Sequence, residues 1–351
     1  MKSYKEFIFI TGLLFFSFII IISLVEAGLR LRSVFHLDAS ADNIFTSDPV
    51  LPFKVKPFLN FYFRSKTGEF ANNLKTNSAG FRDVEHTYEK SATAFRIFAV
   101  GDSFTFGGGA ELDESYLYKL ETMLNQRAGK HQKVEIIKAG IPRYFPEAER
   151  LLLEHYGKKY APDLILIFFP PNDVADTHEG LDAVALDPSG LLTSREARYI
   201  GKTGVFLYST SYACRYILDK YIAYRISKQS RELGDWNEIY KPDGFYEKDW
   251  QTVESEHQKM VEIAAELKAR IVFIHIPQMG PWDETHFYPA QRLSAFAMKQ
   301  GAGFLDMLPS MMEASKKGSL YYEKEGHCTP EGYMVIAHQL YTYLTHKKFI
   351  P

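Results

Sequence analysis

Five short apolar runs, separated by segments with helical periodicity, constrain the fold of this chain most strongly. The run at 163–169, DLILIFF, is apolar almost throughout, as expected for a strand that is covered on both faces. Strands that alternate with helices are typical of a parallel sheet with helices on both of its faces, so we predict a three-layer, doubly wound α/β domain of about five parallel strands. The runs lie at 96–100, 134–139, 163–169, 270–276 and 303–307, and the helical segments at 113–124, 252–269, 290–300, 330–346 and from Pro146 onward.

A separate apolar segment precedes this pattern. Phe7–Val25 is a stretch of 19 residues without a charge, and as a helix it would span roughly 28 Å, close to the thickness of a bilayer core. A signal peptide has a shorter apolar core and a small-x-small cleavage site, which Val25-Glu26-Ala27 matches poorly. We therefore predict that residues 1–32 form an uncleaved membrane anchor, with a cleaved signal peptide as the alternative. Positive charges flank the segment on both sides, so the positive-inside rule alone does not set its orientation.

The remainder divides into an arm and a main domain. Residues 33–93 are irregular and predict an extended arm, with a few short strands laid on the main domain of residues 94–351. Within that domain, 177–250 interrupts the alternation of strands and helices. This insertion contains a possible hairpin at 184–193 and a helical stretch from Tyr212 to about Ser230. It is suited to be a lid or substrate-selecting element, and an embellishment of the packing is the alternative.

Composition excludes several classes of function. The net charge is −2, whereas nucleic-acid binding calls for a basic patch, so no nucleic acid is expected. Cys214 and Cys328 are too few for a disulfide framework, and we predict two free thiols. The histidines and carboxylates lack zinc-ligand spacing, and Gly107–Gly109 is not followed by the Gly-Lys-Ser/Thr of a phosphate loop. We expect neither a metal nor an organic cofactor.

Polar residues follow the predicted strands where functional residues of such sheets gather, at the carboxyl ends. Ser103 follows the first strand, Gly140 the second and Asn172 the third, while Glu325 and His327 precede the last helix. Acyl transfer needs a nucleophilic hydroxyl, a base, a carboxylate that orients the base, and donors for the oxyanion. These residue types together predict a site for acyl transfer.

Four sequence blocks resemble the SGNH hydrolase superfamily, the GDSL-type lipases and esterases. They are GDSFTFG (101–107), KAGIP (138–142), PPNDVAD (170–176) and EGHCTPEG (325–332). The segment NSAGFRD (77–83) is similar to membrane-anchored bacterial members of that superfamily. The resemblance implies a flavodoxin-like SGNH fold, serine esterase activity, and a single-pass protein of the bacterial inner membrane with its catalytic domain in the periplasm.

The resemblance also implies roles for individual residues. Ser103 would be the nucleophile and His327 the general base. The oxyanion would be held by Gly140, by the Asn172 amide and by the backbone N–H of Ser103. Two acids would support the site: Asp102, which orients the turn rather than performing acid–base work, and Asp173.

Three positions depart from the family pattern. Phe104 replaces the leucine that often follows the serine, and Pro170 replaces a glycine two residues before the asparagine. Lys324 stands three residues before the histidine, where the family usually has its aspartate. Members of the anchored type often carry Asp-Gly-His instead, so Glu325 in Glu-Gly-His is the predicted orienting acid, with Glu323 as the fallback.

Each predicted role has a structural alternative. Ser103 could cap the helix that follows it, and Asn172 could form an Asx turn. His327 could be a surface residue ahead of a helix, in which case His178, near the asparagine block, would be the other candidate base. Cys328 is expected to be a wall residue rather than a reactive thiol.

Three functions fit these residues. The first is an esterase that hydrolyses small acyl esters, acetyl esters above all, on cell-envelope or extracellular glycans. The second is a polysaccharide O-acyltransferase that takes its acyl group from a membrane donor partner, as the resemblance to the anchored proteins of alginate O-acetylation implies. The third is a glycan-binding protein with an inactive site, which the missing aspartate favours.

Overall fold

The computed structural model describes residues 2–34, 44–65, 67–128, 133–188, 190–232 and 236–350. Its strands are β1 (Phe45–Thr46), β2 (Lys54–Val55), β3 (Asn60–Arg64), β4 (Ala71–Lys75), β5 (Ala94–Gly101), β6 (Lys133–Gly140), β7 (Leu164–Phe169), β8 (Arg270–His275) and β9 (Gly303–Asp306). Its helices are α1 (Lys2–Val34), α2 (Ser103–Phe106), α3 (Tyr116–Ala128), α4 (Pro146–His155), α5 (Asn172–Glu179), α6 (Leu181–Val184), α7 (Ser194–Thr210), α8 (Tyr212–Glu232), α9 (Glu247–Leu267), α10 (Tyr288–Gln300), α11 (Leu308–Ser315) and α12 (Pro330–His346).

The central sheet confirms the predicted fold class. Its five strands run parallel in the order β6-β5-β7-β8-β9, and each corresponds to one of the five apolar runs. The predicted helical segments are α3, α4, α9, α10 and α12. Strand β5 lies between β6 and β7. Because the chain passes from β5 to β6 on one side and then crosses to β7 on the other, the order reverses at β5, where such sheets form a crevice. The fold therefore directs attention to the ends of β5, β6 and β7.

Side chains of the buried strands alternate between two cores, one on each face of the sheet. In β7, alternate residues face the core against α4, α9 and α10, and the others face the core against α3, α11 and α12. All six are fully buried, which explains why the run has no polar position. The first set is Ile165, Ile167 and Phe169, and the second is Leu164, Leu166 and Phe168.

The arm consists of two short antiparallel pairs, β1 with β2 and β3 with β4. The turn after β4 is stabilised by Asn77, whose Oδ1 accepts hydrogen bonds from the backbone N–H of Ala79 and Phe81, each at 3.0 Å. Phe53 and Val55 of the β1–β2 region are buried in the core beside α4. The described part of the arm is thus packed against the main domain.

Two helical parts lie outside the central three layers. In α1, Glu6–Leu31 contains an 18-residue window with a mean hydropathy of 2.8 and is long and apolar enough to cross a membrane, a test that an N-terminal signal sequence also passes. Within the predicted hairpin at 184–193, of which Ser189 lies outside the described residues, Leu186 and Thr193 form one antiparallel bridge. Helix α7 was not expected, because Gly201 (φ 64°) kinks it and interrupts its periodicity.

A histidine is buried in the core without a polar partner. His257 of α9 packs against the rings of Phe273, Phe169 and Phe296, at centroid distances of 4.9, 5.7 and 5.8 Å. Neither of its ring nitrogens has a hydrogen-bond partner. Burial lowers its pKa from 6.5 to about 3, because an apolar environment disfavours the imidazolium. The fold therefore holds this side chain neutral.

We expect His257→Leu to stabilise the protein and to weaken its sensitivity to acid. The unfolded chain binds a proton at position 257 below its ordinary pKa and the folded chain does not, so stability falls as pH drops from 6.5 toward 3. The loss amounts to about 3 kcal/mol at pH 4. Urea unfolding of both proteins at pH 7 and pH 4 measures the difference. The exposed His338→Leu is the control, and an equal acid sensitivity of His257→Leu and the parent would contradict the prediction.

Candidate active site

Ser103 is the first residue of α2 and lies at the carboxyl end of β5. Asp102 caps α2, because its Oδ1 accepts from the backbone N–H of Phe104 at 2.9 Å. The helix ends after one turn at Gly107, which has φ 81°. The cap of this helix is therefore Asp102, and the Ser103 hydroxyl is available for another partner.

That partner is His327, from the loop before α12. Its Nε2 lies 2.9 Å from Oγ of Ser103, and its ring lies 5.4 Å from the ring of Phe104. Burial lowers the pKa of His327 below 6.5, while the charge of Glu325 acts in the opposite direction. In the tautomer with its proton on Nδ1, the ring accepts the hydrogen bond from the serine hydroxyl. This is the arrangement of a nucleophile with its general base.

The glycines after α2 allow the serine and histidine loops to approach each other. A Cβ at Gly108 would lie 3.4 Å from Cδ2 of His327, and one at Gly109 (φ 90°) would lie 2.8 Å from the Tyr322 ring. The hydroxyls of Tyr333 and Tyr322 donate to the carbonyls of Gly108 and Gly109 at 2.7 and 2.9 Å. The glycine cluster thus serves close packing around the Ser103–His327 pair.

The structure does not pair Glu325 with His327. The Oε1 of Glu325 accepts from Oγ1 and the backbone N–H of Thr67 at 2.8 and 3.3 Å, while Nδ1 of His327 is buried without a partner. Glu69 accepts at Oε2 from the backbone N–H groups of Glu325 and Lys324, at 2.9 and 2.8 Å. The loop between β3 and β4 therefore holds the segment that precedes the histidine.

Asn172 begins α5, at the end of β7, and its amide faces the same cavity. Its Nδ2 donates to Oδ2 of Asp176 at 3.1 Å and makes a longer 3.4 Å contact with Oδ2 of Asp102. Its Oδ1 accepts from Nε2 of Gln278 at 3.2 Å, and Gln278 in turn accepts at Oε1 from the Tyr240 hydroxyl at 3.2 Å. The orientation of the amide is thus set by partners on both of its ends.

Two of those partners were missed in the sequence. Asp176 lies one helical turn after Asn172, inside the block PPNDVAD, and that spacing could have indicated its contact with the asparagine. Gln278 follows β8, and its place near a strand end was the available signal. We regard both as positioning residues for Asn172.

Several carboxyl groups near the site are buried and bind protons readily. Burial raises the pKa of Asp102 to about 6 and that of Asp176 to about 7. Burial also raises the pKa values of Asp173 and Glu149 well above their ordinary values. The charges of Glu149 and Asp102 raise the pKa of Asp173 further, and the charge of Asp102 raises that of Glu149. The carboxyl oxygens of these two residues have no hydrogen-bond partner. Burial thus disfavours the charged forms of all four carboxyl groups.

Gly140 is required for packing beside the serine. It pairs with Gly101 in the sheet, and a Cβ on Gly140 would lie 2.3 Å from the backbone N of Phe106 and 2.4 Å from the carbonyl carbon of Thr105. Its role as an oxyanion donor remains a prediction.

The site cavity has a volume of about 400 Å³ and is lined by Asp102, Ser103, Phe104, Asn172, Asp176, Gln278, Met279, Glu325, Gly326 and His327.

The alternative residues lie elsewhere or are unreactive. His178 contacts Oδ2 of Asp249 through Nδ1 at 3.0 Å, and not Ser103. Cys328 is fully buried and, like Cys214, is a free thiol, and burial raises its pKa. Within the described ranges, no cluster of three or more His, Cys, Asp or Glu residues is arranged to hold a metal ion.

The segment NSAGFRD ties the arm to the site. Arg82 donates to the carbonyls of Gly107 and Ala110, each at 2.5 Å. Asp83 accepts from the Nζ and the backbone N–H of Lys138 in β6, at 2.8 and 3.0 Å. The Arg82 contacts fix the loop that follows the serine, and the Asp83 contacts fix the strand that carries Gly140.

No protein-family model matches the chain, and no curated protein does. Similar solved structures include TesA, at 12% identity and a TM-score of 0.43 over 73% of this chain and 99% of that one. A lipolytic G-D-S-L family member from Veillonella parvula is 14% identical, with a TM-score of 0.44 over 72% and 98%. The acetyl xylan esterase AlAXEase is 12% identical, with a TM-score of 0.44 over 71% and 100%. These likenesses are distant, and the proposed function rests on the geometry of the site.

Proposed function

We propose that the chain is a serine esterase of the SGNH type that hydrolyses small acyl esters. The observation that carries the proposal is the 2.9 Å contact between Oγ of Ser103 and Nε2 of His327. Both atoms belong to residues that line one cavity, together with the oriented amide of Asn172. A hydroxyl, a neutral imidazole and an amide donor around one cavity are the groups that acyl transfer requires.

In the reaction, Oγ of Ser103 attacks the ester carbonyl carbon while Nε2 of His327 takes the hydroxyl proton. The second N–H of the Asn172 amide, which makes only the long contact to Asp102, donates to the oxyanion. Backbone N–H groups of Gly140 and Ser103 complete the oxyanion hole. The tetrahedral intermediate collapses, His327 returns the proton to the leaving alcohol, and water releases the acyl group by the same steps.

The third member of the triad is Glu325, which leaves Thr67 and accepts from Nδ1 of His327 during the reaction. Two observations support this assignment. The Nδ1 atom is buried without a partner, and a buried N–H of this kind gains from an acceptor. The charge of Glu325 already acts on the imidazole across the two-residue spacing. Glu323, the fallback, is exposed.

Glu325→Gln should lower kcat by about 100-fold or more, since the amide no longer stabilises the imidazolium that forms in the transition state. Glu323→Gln, two residues away on the same loop, is the matched control and should leave kcat within about twofold. Steady-state hydrolysis of p-nitrophenyl acetate measures both. Full activity in Glu325→Gln together with loss in Glu323→Gln would transfer the role to Glu323.

The substrate we propose is an acetyl or similarly small ester on a cell-envelope or extracellular glycan. The cavity of about 400 Å³ lies toward the small end of ligand pockets. The apolar helix α1 supports a protein held at a membrane by a single span, and we place its catalytic domain on the periplasmic side of a bacterial inner membrane. A wall-bound or secreted glycan would reach the site there.

Hydrolysis of p-nitrophenyl acetate and p-nitrophenyl octanoate, with and without an oligosaccharide acceptor, tests the function. We expect acetate to be preferred and release of free acetate to exceed transfer to the sugar. Transfer in excess of hydrolysis would overturn the esterase in favour of the O-acyltransferase. Folded protein that neither turns over nor reacts with a fluorophosphonate probe would favour the inactive glycan-binding protein.

A further inference from the structure

The insertion docks on the end of the apolar helix. Glu26, the first residue after the uncharged run of α1, accepts from the backbone N–H of Tyr212 and Ala213 at 3.1 and 2.9 Å. It also accepts from the hydroxyl of Ser211 at 2.9 Å. Arg30, one turn later, donates to the carbonyl of Thr210 at 2.8 Å. The turn between α7 and α8 is therefore fixed at the level where the apolar part of α1 ends.

Large apolar side chains on both sides of this turn are exposed. On α7 they are Phe206 (64% exposed) and Leu207, and on α8 they are Tyr216 (58%) and Ile217 (66%). On a helix of 3.6 residues per turn, positions 216, 220 and 224 form one row and 217 and 221 the next. These positions hold Tyr216, Ile217, Lys220, Tyr221 and Tyr224, of which the tyrosines and the isoleucine are exposed large hydrophobic residues. Tyrosine with apolar and basic neighbours is typical of side chains at a membrane–water interface.

The distances of Phe206 and Ile217 from the α7–α8 turn are comparable to the thickness of the lipid headgroup layer. At 1.5 Å per residue, Phe206 and Ile217 lie roughly 8–9 Å from Ser211 along their helices. The interfacial layer on each side of the hydrocarbon core is several ångströms thick. Ser211 is bound to Glu26, at the end of the apolar run of α1. Phe206 and Ile217 therefore lie within or next to the interfacial layer, whichever direction α7 and α8 take from Ser211.

The local charge points to the same surface. Residues 202–220, around the turn, contain three Lys and Arg against one Asp, a formal charge of +2, and residues 194–232 as a whole carry +5 in a chain whose net charge is −2. Basic residues beside an apolar surface are attracted to anionic lipid headgroups. A glycan surface would account for the tyrosines, but not for this excess of positive charge.

We propose that the α7–α8 turn, residues 206–217, inserts into the headgroup layer of an anionic membrane beside α1. This inference rests on the proposed membrane span of α1 and extends it to a second contact. Two contacts fix the tilt of the catalytic domain over the bilayer, whereas a single helix leaves it free to rotate. The insertion thereby acts as an interfacial support of the enzyme.

The test uses the full chain reconstituted in phosphatidylglycerol–phosphatidylcholine vesicles that carry a nitroxide on the lipid headgroup. Cys214→Ser removes the partly accessible thiol, and Ile217→Cys or the matched control Met298→Cys, 78% exposed on α10, then carries an NBD fluorophore. We expect quenching at position 217 to exceed that at 298 by about threefold or more, because quenching falls steeply with distance from the headgroups. It should weaken in vesicles without phosphatidylglycerol, because the basic residues then lose their anionic partners.

Equal quenching at both positions in a chain that resists carbonate extraction would overturn this inference and leave the anchor intact. Extraction of the chain by carbonate would overturn the anchor itself, and this inference with it. An NBD signal at 217 that responds to added oligosaccharide and not to the quenching lipid would also overturn it, in favour of a glycan surface.

Discussion

Ser103→Ala should lower kcat/KM for p-nitrophenyl acetate by on the order of 10⁴-fold or more. The substitution removes the atom that attacks the ester and leaves the fold intact, because the α2 cap is the Asp102 carboxylate and not the serine hydroxyl. The remaining groups, the Asn172 amide and the histidine, can still bind and polarise an ester. A residual rate above that of the uncatalysed reaction is therefore compatible with the proposal.

The control for this loss is Ser315→Ala, which removes an exposed hydroxyl from α11 that donates only to a carbonyl of its own helix. It should keep full activity. Thermal unfolding of both variants confirms that they fold, and a fluorophosphonate probe should label the parent and Ser315→Ala but not Ser103→Ala. Ser103→Ala that keeps more than a tenth of the activity, or that is still labelled, would rule out Ser103 as the nucleophile.

The second large effect is at His327. His327→Ala should lower kcat by on the order of 10³–10⁴-fold, and the parent should show a pH profile set by this residue. Burial lowers the pKa of the imidazole below 6.5, and only the neutral ring can accept the serine proton. The rate kcat/KM should therefore be flat at neutral pH and fall as the pH drops through a midpoint below 6.5.

Two variants test whether His327 is the base that sets the pH profile. Glu325→Gln removes the negative charge that raises the pKa of His327, so its midpoint should lie lower than that of the parent. His178→Ala removes the histidine that pairs with Asp249 instead of the serine, and its profile should match that of the parent. A midpoint at or above 6.5, or a profile altered by His178→Ala and not by Glu325→Gln, would contradict the assignment of the base.

The sheet could be predicted because its signal is local. Each strand contains a short apolar run bounded by turn residues, and in β7 burial on both faces leaves no polar position to blur the pattern. The insertion was harder to predict. The kink at Gly201 breaks α7 into two short pieces and interrupts its periodicity, whereas α8 (Tyr212–Glu232) corresponds to the helical stretch predicted from Tyr212 to about Ser230.

The sequence by itself determined the positions of the five strands of the sheet. It also indicated Ser103 as the predicted nucleophile, His327 as the predicted base and Asn172 at the end of β7, because each of these residues lies in a short block of contiguous sequence. The tertiary structure decided which groups contact them. Arg82, Gln278 and Thr67 reach the site from distant parts of the chain, and Thr67 binds Glu325 across 258 residues. Glu325 lies two residues from His327 in the sequence, yet its carboxylate accepts from Thr67 of the arm. Side-chain direction depends on which donors the fold brings within hydrogen-bond distance, and no local pattern encodes that.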